Sequence, residues 1–577
     1  MSTHARPLAV WLAQAPDAQL AALFEARGVR ADVAWSDFFD AAEALLEPAS
    51  IERALPRLPL TEAVALRRSV NGDDAGDDAG PLIALALLRP DGTPAPPVAE
   101  AVTARQDPTA SETPPPEPSD ESAAARAAER AFTTVAALAD LVLLASDTPL
   151  ALLTGGALAS GEKRRIAATG TAPEILDDLA AIAVDAGLLA ALDRRLVATE
   201  SADSWLRESA SARWTGLVQA FRAALPRGLR DGDGWLPTTA WAAQYPWSIA
   251  WPEQCSAIAE RARLLGLVAD DGSEPEWAVP LREGAPADPA SLQRMLPTEV
   301  DRIFLQNDLT AIAPGPLQPA LDVRLRRIAA RESAAQASSY RFTADSVAQA
   351  LTSGETAASI LDFLAEISLT GIPQPLEYLV TQTDQRHGLV RVFTDASGRT
   401  RVASVDATLL DAMGVDQALR PLALARDADG LTSRAGSDTV YWTLTDARYP
   451  AMIVGDDGRP LVMDRNPAPG HAPPAAPDYL PLIARLRERQ GPDADAAWLD
   501  RELEAAVRSK AVLLVEIEMP DGTARELQLE ASGLGGGRLR GRDRAADVER
   551  TLPVRSIRSA RVIDPSAGSG ATATGER

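Results

Sequence analysis

Thiols, imidazoles and ammonium groups are all scarce in this chain. Its 577 residues include one cysteine, Cys255, and three histidines, His4, His387 and His471. A single thiol excludes an internal disulfide framework and a thiolate-rich zinc site, and three scattered imidazoles supply no His-based metal set. Lysine occurs twice, at Lys163 and Lys510, against 55 arginines. A P-loop motor places a lysine on the nucleotide phosphates. The nearest approach, Gly156 to Lys163, inserts Glu162 before the lysine and puts Arg164 where Ser or Thr belongs. A carboxylate there repels the phosphates, so the segment reads as a turn before a basic helix. The acidic pair Asp120-Glu121 falls in a linker-like stretch rather than after a buried strand. No Gly-x-Ser-x-Gly elbow flanks a strand-like run, and His387, just after a helix, reads as a C-terminal cap. No catalytic residue, cofactor or metal is expected.

Long apolar runs are missing too. Nothing reaches the roughly 18 apolar residues of a membrane-spanning helix, and Asp17 interrupts the start before a signal-peptide core develops. The expected location is cytoplasmic. Acidic residues outnumber basic ones 81 to 57, a net charge of −24. Such a chain repels phosphate at long range, so any nucleic-acid contact must come from a local basic patch.

The length and pattern predict an α+β multidomain protein, predominantly helical. Residues 1–70 carry helical periodicity, with Asp17 as a candidate N-cap. Residues 71–125 are rich in Pro, Asp, Glu, Ser and Gly and, apart from an apolar interruption from Leu82 to Leu88 that suits a strand or short helix, read as an acidic, disordered linker. Helix–turn–helix–strand patterns over 126–200 and 201–299 read as two winged-helix-like regions, the second rich in tryptophan with GLVADDGSEPEWAVP as its wing. Residues 300–465 are mixed α/β, with TAASILDFLAEIS as an amphipathic helix and DTVYWTL among the β-rich runs. A Pro-rich linker and helix occupy 466–500, short strands over 501–564 suggest a small β-barrel, and 565–577 form a disordered tail.

Three features are candidate contacts. Residues 536–561 hold Arg538, Arg540, Arg542, Arg544, Arg550, Arg555, Arg558 and Arg561 against Asp543, Asp547 and Glu549. This local net of +5 suits phosphates, the alternative being a solvated face of ion pairs. Arg324, Arg326, Arg327 and Arg331 cluster on one predicted helix, where Arg324, Arg327 and Arg331 share a face. Four indoles, Trp235, Trp241, Trp247 and Trp251, are either core or a partner-binding and base-stacking platform.

Two family resemblances add to this. The ordered motifs Gln306-Asn307-Asp308-Leu309, Tyr340-Arg341-Phe342-Thr343 and Pro373-Gln374-Pro375-Leu376-Glu377-Tyr378-Leu379 resemble the N-terminal domain of XPB-type helicases. Actinobacteria-like genomes carry such domains in stand-alone helicase-associated proteins. The C-terminal segment resembles a WYL domain, a small Sm/SH3-like barrel, with Lys510–Ile517 as first strand and Glu549-Arg550-Thr551-Leu552 as closing element. Arg538-Leu539-Arg540 stands in place of the name-giving tripeptide. Together they imply a non-catalytic accessory protein, its partner a separate helicase, DNA or both. The other readings are a scaffold that docks a helicase without touching nucleic acid, and a WYL-type ligand-sensing regulator.

Overall fold

The computed structural model describes residues 5–109, 114–167, 171–334, 337–427, 429–455, 458–461, 463, 477–490, 494–519 and 523–562. His4, His471, most of the Pro-rich linker and the expected tail lie outside them. The described chain is mixed α+β, about half helical, with five small sheets.

Three helices open it: α1 (Ala5–Gln14), α2 (Asp17–Ala26) and α3 (Phe38–Leu46). Asp37 caps α3, accepting from the amides of Phe39 and Asp40. Asp17 is not a cap; it sits in the first turn of α2, and its carboxylate meets Arg487. The next helices are α4 (Pro48–Ala54), α5 (Leu60–Val70), α6 (Ala79–Ala84) and α7 (Pro96–Thr103). The last two fall in the segment expected to be a disordered linker. Leu82, Val98 and Val102 are fully buried there, packed with Ile51, Leu55 and Leu66. A few apolar residues suffice when their partners come from the preceding helices, which local composition does not register.

A long helix, α8 (Glu121–Asp147), forms the spine of the middle of the chain, capped by Asp120. Strands β1 (Leu150–Ala151), β2 (Leu189–Leu192) and β3 (Arg195–Ala198) pair antiparallel in the order β1-β3-β2. Helices α9 (Ser160–Ala167) and α10 (Leu176–Asp185) lie between β1 and β2. Helices α11 (Glu200–Arg207), α12 (Ala210–Ala224), α13 (Trp251–Leu264), α14 (Ala278–Arg282) and α15 (Ala290–Gln293) follow, with a short ladder of β4 (Arg230–Asp231) and β5 (Gly234–Trp235). The two regions expected to be separate share one core running from Ala123 to Leu292. Gly266 shows how tightly it closes: its φ is +68°, in the left-handed region that most side chains avoid, and a Cβ there would stand 2.6 Å from the Ala127 carbonyl oxygen. The predicted wing at 266–280 forms no hairpin; Glu274 instead bridges Pro118.

The next unit begins with a four-stranded sheet ordered β6-β7-β9-β8, from β6 (Phe304–Leu305), β7 (Thr310–Ala313), β8 (Ala330–Ala334) and β9 (Ser338–Arg341). Helices α16 (Pro319–Ile328), α17 (Ala344–Thr352), α18 (Ala357–Ile367) and α19 (Gln374–Arg386) pack with it. Thr343 and Thr356 close reciprocal capping boxes with Ser346 and Ser359. A five-stranded sheet follows in the order β12-β13-β11-β10-β14: β10 (Val390–Thr394), β11 (Thr400–Ser404), β12 (Ala425–Arg426), β13 (Leu431–Ser433) and β14 (Ala451–Ile453). Helices α20 (Ala407–Val415) and α21 (Ser437–Asp446) cover it. The run read as β-rich, DTVYWTL, is α21. Val440, Tyr441 and Leu444 make its buried face, and the packing they gain outweighs local β-propensity.

Helix α22 (Leu480–Glu488) returns to the start of the chain, where Tyr479, Leu482, Ile483 and Leu486 join the α1–α3 core. Helix α23 (Ala494–Ser509) leads into strands β15 (Val512–Glu518), β16 (Ala524–Gly535), β17 (Arg538–Asp543), β18 (Val548–Pro553) and β19 (Ile557–Val562). Their order is β18-β17-β16-β15-β19, and among the described residues β18 and β19 do not pair. The expected Sm/SH3-like barrel is therefore an open sheet. Leu499, Leu503 and Ala506 of α23 cover its apolar face, the burial that closure would otherwise supply.

Candidate nucleic-acid interface

On β17 the residues alternate. Leu539, Gly541 and Asp543 are buried, while Arg538, Arg540 and Arg542 are exposed on the opposite face. Outward residues two apart on a strand stand about 6.6 Å from one another. Cross-strand neighbours of Arg538 and Arg540 are small: Gly535 and Gly533 on β16, Pro553 and Thr551 on β18. Arg555 is brought alongside by a turn in which the Val554 amide donates to the Gly537 carbonyl. No ion pair forms at Arg538, Arg540 or Arg555 among the described residues.

Four other arginines of this segment are neutralised. Arg542 meets Asp547 at 2.7 Å, Arg544 meets Glu530 at 4.0 Å, and Arg558 meets Glu518 at 3.1 Å. Arg550 donates to Asp543 at 2.6 Å. That bond, with the amides of Ala545 and Ala546, holds the Asp543 carboxyl below its ordinary range. Among the described side chains of this segment, three cations are free to meet a phosphate.

The second arginine cluster is arranged differently from its prediction. Helix α16 ends at Ile328, and Arg331 lies on β8, so the expected single helical face does not form. Arg324 grips Glu355 at 2.9 and 3.0 Å and lies 4.4 Å over the Phe363 ring. Arg326 donates to one oxygen of Asp140 at 2.7 Å, and Arg331 donates to the other. Arg327 reaches Asp203 of α11 at 3.0 Å. Arg326, Arg327 and Arg331 join the sheet unit to the helical unit, while Arg324 is held within its own unit. Burial works against the Arg326 charge, but Asp140 and Asp322 outweigh it and raise its pKa. Asp140 is the residue that sequence reading passed over. Its signal was an acid inside the apolar run ALADLVLL, since a carboxylate on a buried helix face needs a cationic partner.

The four indoles are core. Trp235, Trp241, Trp247 and Trp251 are all at most 8% exposed. Trp241 donates to the Leu236 carbonyl at 2.8 Å and Trp251 to the Trp241 carbonyl at 2.9 Å. Trp235 packs edge-on against Phe221. Trp247 docks into the α4–α7 cluster and donates to the Gln106 carbonyl, joining the two units. Protein occupies the faces a stacked base would need.

Lys163 lies on α9, its ammonium 2.5 Å from Asp177 of α10. Helix α10 is acidic, and Asp178 and Asp185 face Arg261 of α13, so this helix is turned toward protein. His387 ends α19, but its backbone N–H, not the imidazole, meets the carbonyls of Thr383 and Asp384. The ring lines a cavity of about 720 Å³ with Asp147, Asp345, Arg386 and Tyr449. Burial lowers its pKa, partly opposed by Asp384. Among the described residues no cluster of three or more His, Cys, Asp or Glu side chains could hold a metal ion, and no helix is long and apolar enough to cross a membrane.

No curated protein matches the chain. Residues 303–428, about a fifth of its length, match the family described as a helicase conserved C-terminal domain, running from the start of the four-stranded sheet into the five-stranded one.

Proposed function

We propose that this chain is a non-catalytic helicase-associated accessory protein that holds single-stranded nucleic acid by its phosphates on the outward face of the C-terminal sheet. The observation that carries the reading is the group Arg538, Arg540 and Arg555, exposed and without an acidic partner among the described residues. The face carries no aromatic side chain, which favours phosphate contact over base stacking and therefore little sequence preference. The helicase-type family match supports a role beside a helicase. The ordered motifs at 306–309, 340–343 and 373–379 support the narrower likeness to the N-terminal domain of XPB-type helicases. No motor enters this reading because Glu162 precedes Lys163 and Arg164 stands where a P-loop carries Ser or Thr.

Binding of a labelled mixed-sequence oligonucleotide, with and without Arg538→Ala/Arg540→Ala, tests the proposal. Lower affinity and a shallower salt dependence in the variant are the expected result. A second reading, a scaffold that docks a separate helicase, draws on the −24 charge and on Val405, two residues before α20, and Val415, its last residue, which stand 94% and 80% exposed. Helicase capture without oligonucleotide binding at low salt would favour it. A ligand-sensing role for the WYL-like sheet would instead show as thermal stabilisation by an excess of nucleotide.

A further inference from the structure

We propose that Arg326, Arg327 and Arg331 form a second phosphate-binding site that this structure holds closed, with Asp140 and Asp203 in the places phosphates would take. The inference rests on the reading that the chain binds nucleic acid, and adds that part of its binding surface is masked by its own carboxylates.

The geometry is that of a competed site. Three guanidiniums from one short stretch converge on two carboxylates of the helical unit: Arg326 and Arg331 take one oxygen each of Asp140, and Arg327 takes Asp203. A carboxylate bridged by two arginines presents the same charge and acceptor pattern as a phosphodiester. Arg324 is not part of the site, because Glu355 and Phe363 of its own unit hold it. Asp147, whose pKa burial raises against the pull of Arg327 and Arg326, is a third carboxyl near these cations.

The joint is also built to open. Of the residues of α16, Val323 is the one that enters the helical unit's core cluster, so the contact depends on charge more than on apolar burial. Two clefts, of about 720 and 820 Å³, flank it, and both are lined by Asp147 and Gln349. The Arg327–Asp203 pair is half exposed on both sides, while Arg326, Arg331 and Asp140 are at 17%, 15% and 9%. Salt therefore screens the outer pair first, and a buried ion pair gives little net stability to keep the inner one shut. Opening would release Arg327 and Arg331, and would free Arg326 from Asp140 while Asp322 of its own helix still faces it at 3.7 Å.

The test uses the full chain, a fluorescein-labelled mixed-sequence single strand and anisotropy. Asp140→Asn/Asp203→Asn should bind at least tenfold tighter at low salt, with a salt slope steeper by about 1.4, from Arg327 and Arg331 at about 0.7 each, since Asp322 still faces Arg326. Adding Arg327→Gln/Arg331→Gln should remove the gain. A folded Asp variant with unchanged affinity and slope overturns the proposal. The same gain measured in the Arg538→Ala/Arg540→Ala background separates the two sites. Gain without basal binding supports the masked site and sinks the C-terminal one; basal binding in the parent protein without gain does the reverse. A measurement on the wild-type protein covers a variant that fails to fold. Phenylglyoxal labelling mapped by mass spectrometry should show Arg326 and Arg331 becoming reactive as salt rises. Arg213, buried and bonded to the carbonyls of Trp205 and Leu206, should stay inert. If Arg326 and Arg331 remain as unreactive as Arg213, the joint does not open and the proposal fails.

Discussion

Replacing Arg538 and Arg540 by alanine gives a quantitative check on the C-terminal face. Three exposed guanidiniums without acidic partners stand there, and each phosphate contact to a single strand contributes about 0.7 to the slope of log affinity against log salt. The wild-type slope from this face is then about −2, so a rise from about 50 to about 200 mM salt weakens binding about 20-fold. The double variant keeps Arg555 alone; its slope falls to about −0.7 and the same rise costs about threefold. At about 50 mM the two lost contacts should lower affinity roughly 70-fold, since each carries about 0.7 of the logarithm of the salt concentration. Anisotropy titration at four salt concentrations measures both quantities. The control is Arg558→Ala/Glu518→Ala, which removes a pair already neutral at 3.1 Å and should leave the slope unchanged. A double variant with wild-type slope and affinity would refute the assignment of this face.

Three further outcomes are expected. Lys163→Ala should leave phosphate release from ATP at the undetectable level of the parent protein, because the ammonium is committed to Asp177; measurable turnover in the parent that Lys163→Ala abolishes would contradict the motorless reading. Trp241→Phe should lower thermal stability, with a loss of roughly 1–3 kcal/mol from the smaller ring and the orphaned Leu236 carbonyl, while oligonucleotide affinity holds. A fall in affinity with unchanged melting would instead place the indole at the nucleic acid. Glu62, bonded to Arg227 at 2.6 and 2.8 Å, has its carboxyl pushed up chiefly by burial, with Arg227 opposing. Between its unfolded and folded pKa the native state holds more protons, so its contribution is present at low pH and lost as pH rises through the folded value. The melting temperature of Glu62→Gln relative to wild type should therefore climb with pH across that window, and a decline would show the ion pair dominating burial.

Much of the local structure was legible because its causes lie within a few residues. The helix read at TAASILDFLAEIS is α18, its start fixed by Thr356 and Ser359 and its buried face by Ile360, Phe363, Leu364 and Ile367. The DASG turn joins β10 to β11 because Asp395 accepts from the amides of Ser397 and Arg399 while Gly398 supplies a φ of +77°. The motif Gln306-Asn307-Asp308-Leu309 is the turn between β6 and β7, and Leu309 takes a φ of +65°. Apolar patterning on either side could not reveal that reversal.

The sequence by itself determined which chemistry lacked its residues, where many helices begin, and that arginine gathers at two places. It could not determine what those arginines meet. Asp140 and Arg326 are 186 residues apart, Tyr479 and Val29 are 450 apart, and both pairs touch. Tertiary structure alone decided that the α16 cluster is a joint, that the indoles are core, and that α23 leaves the last sheet open. A charge or a ring has no fixed role until folding supplies its neighbour, and the energy of that contact depends on partners and burial that linear order does not contain.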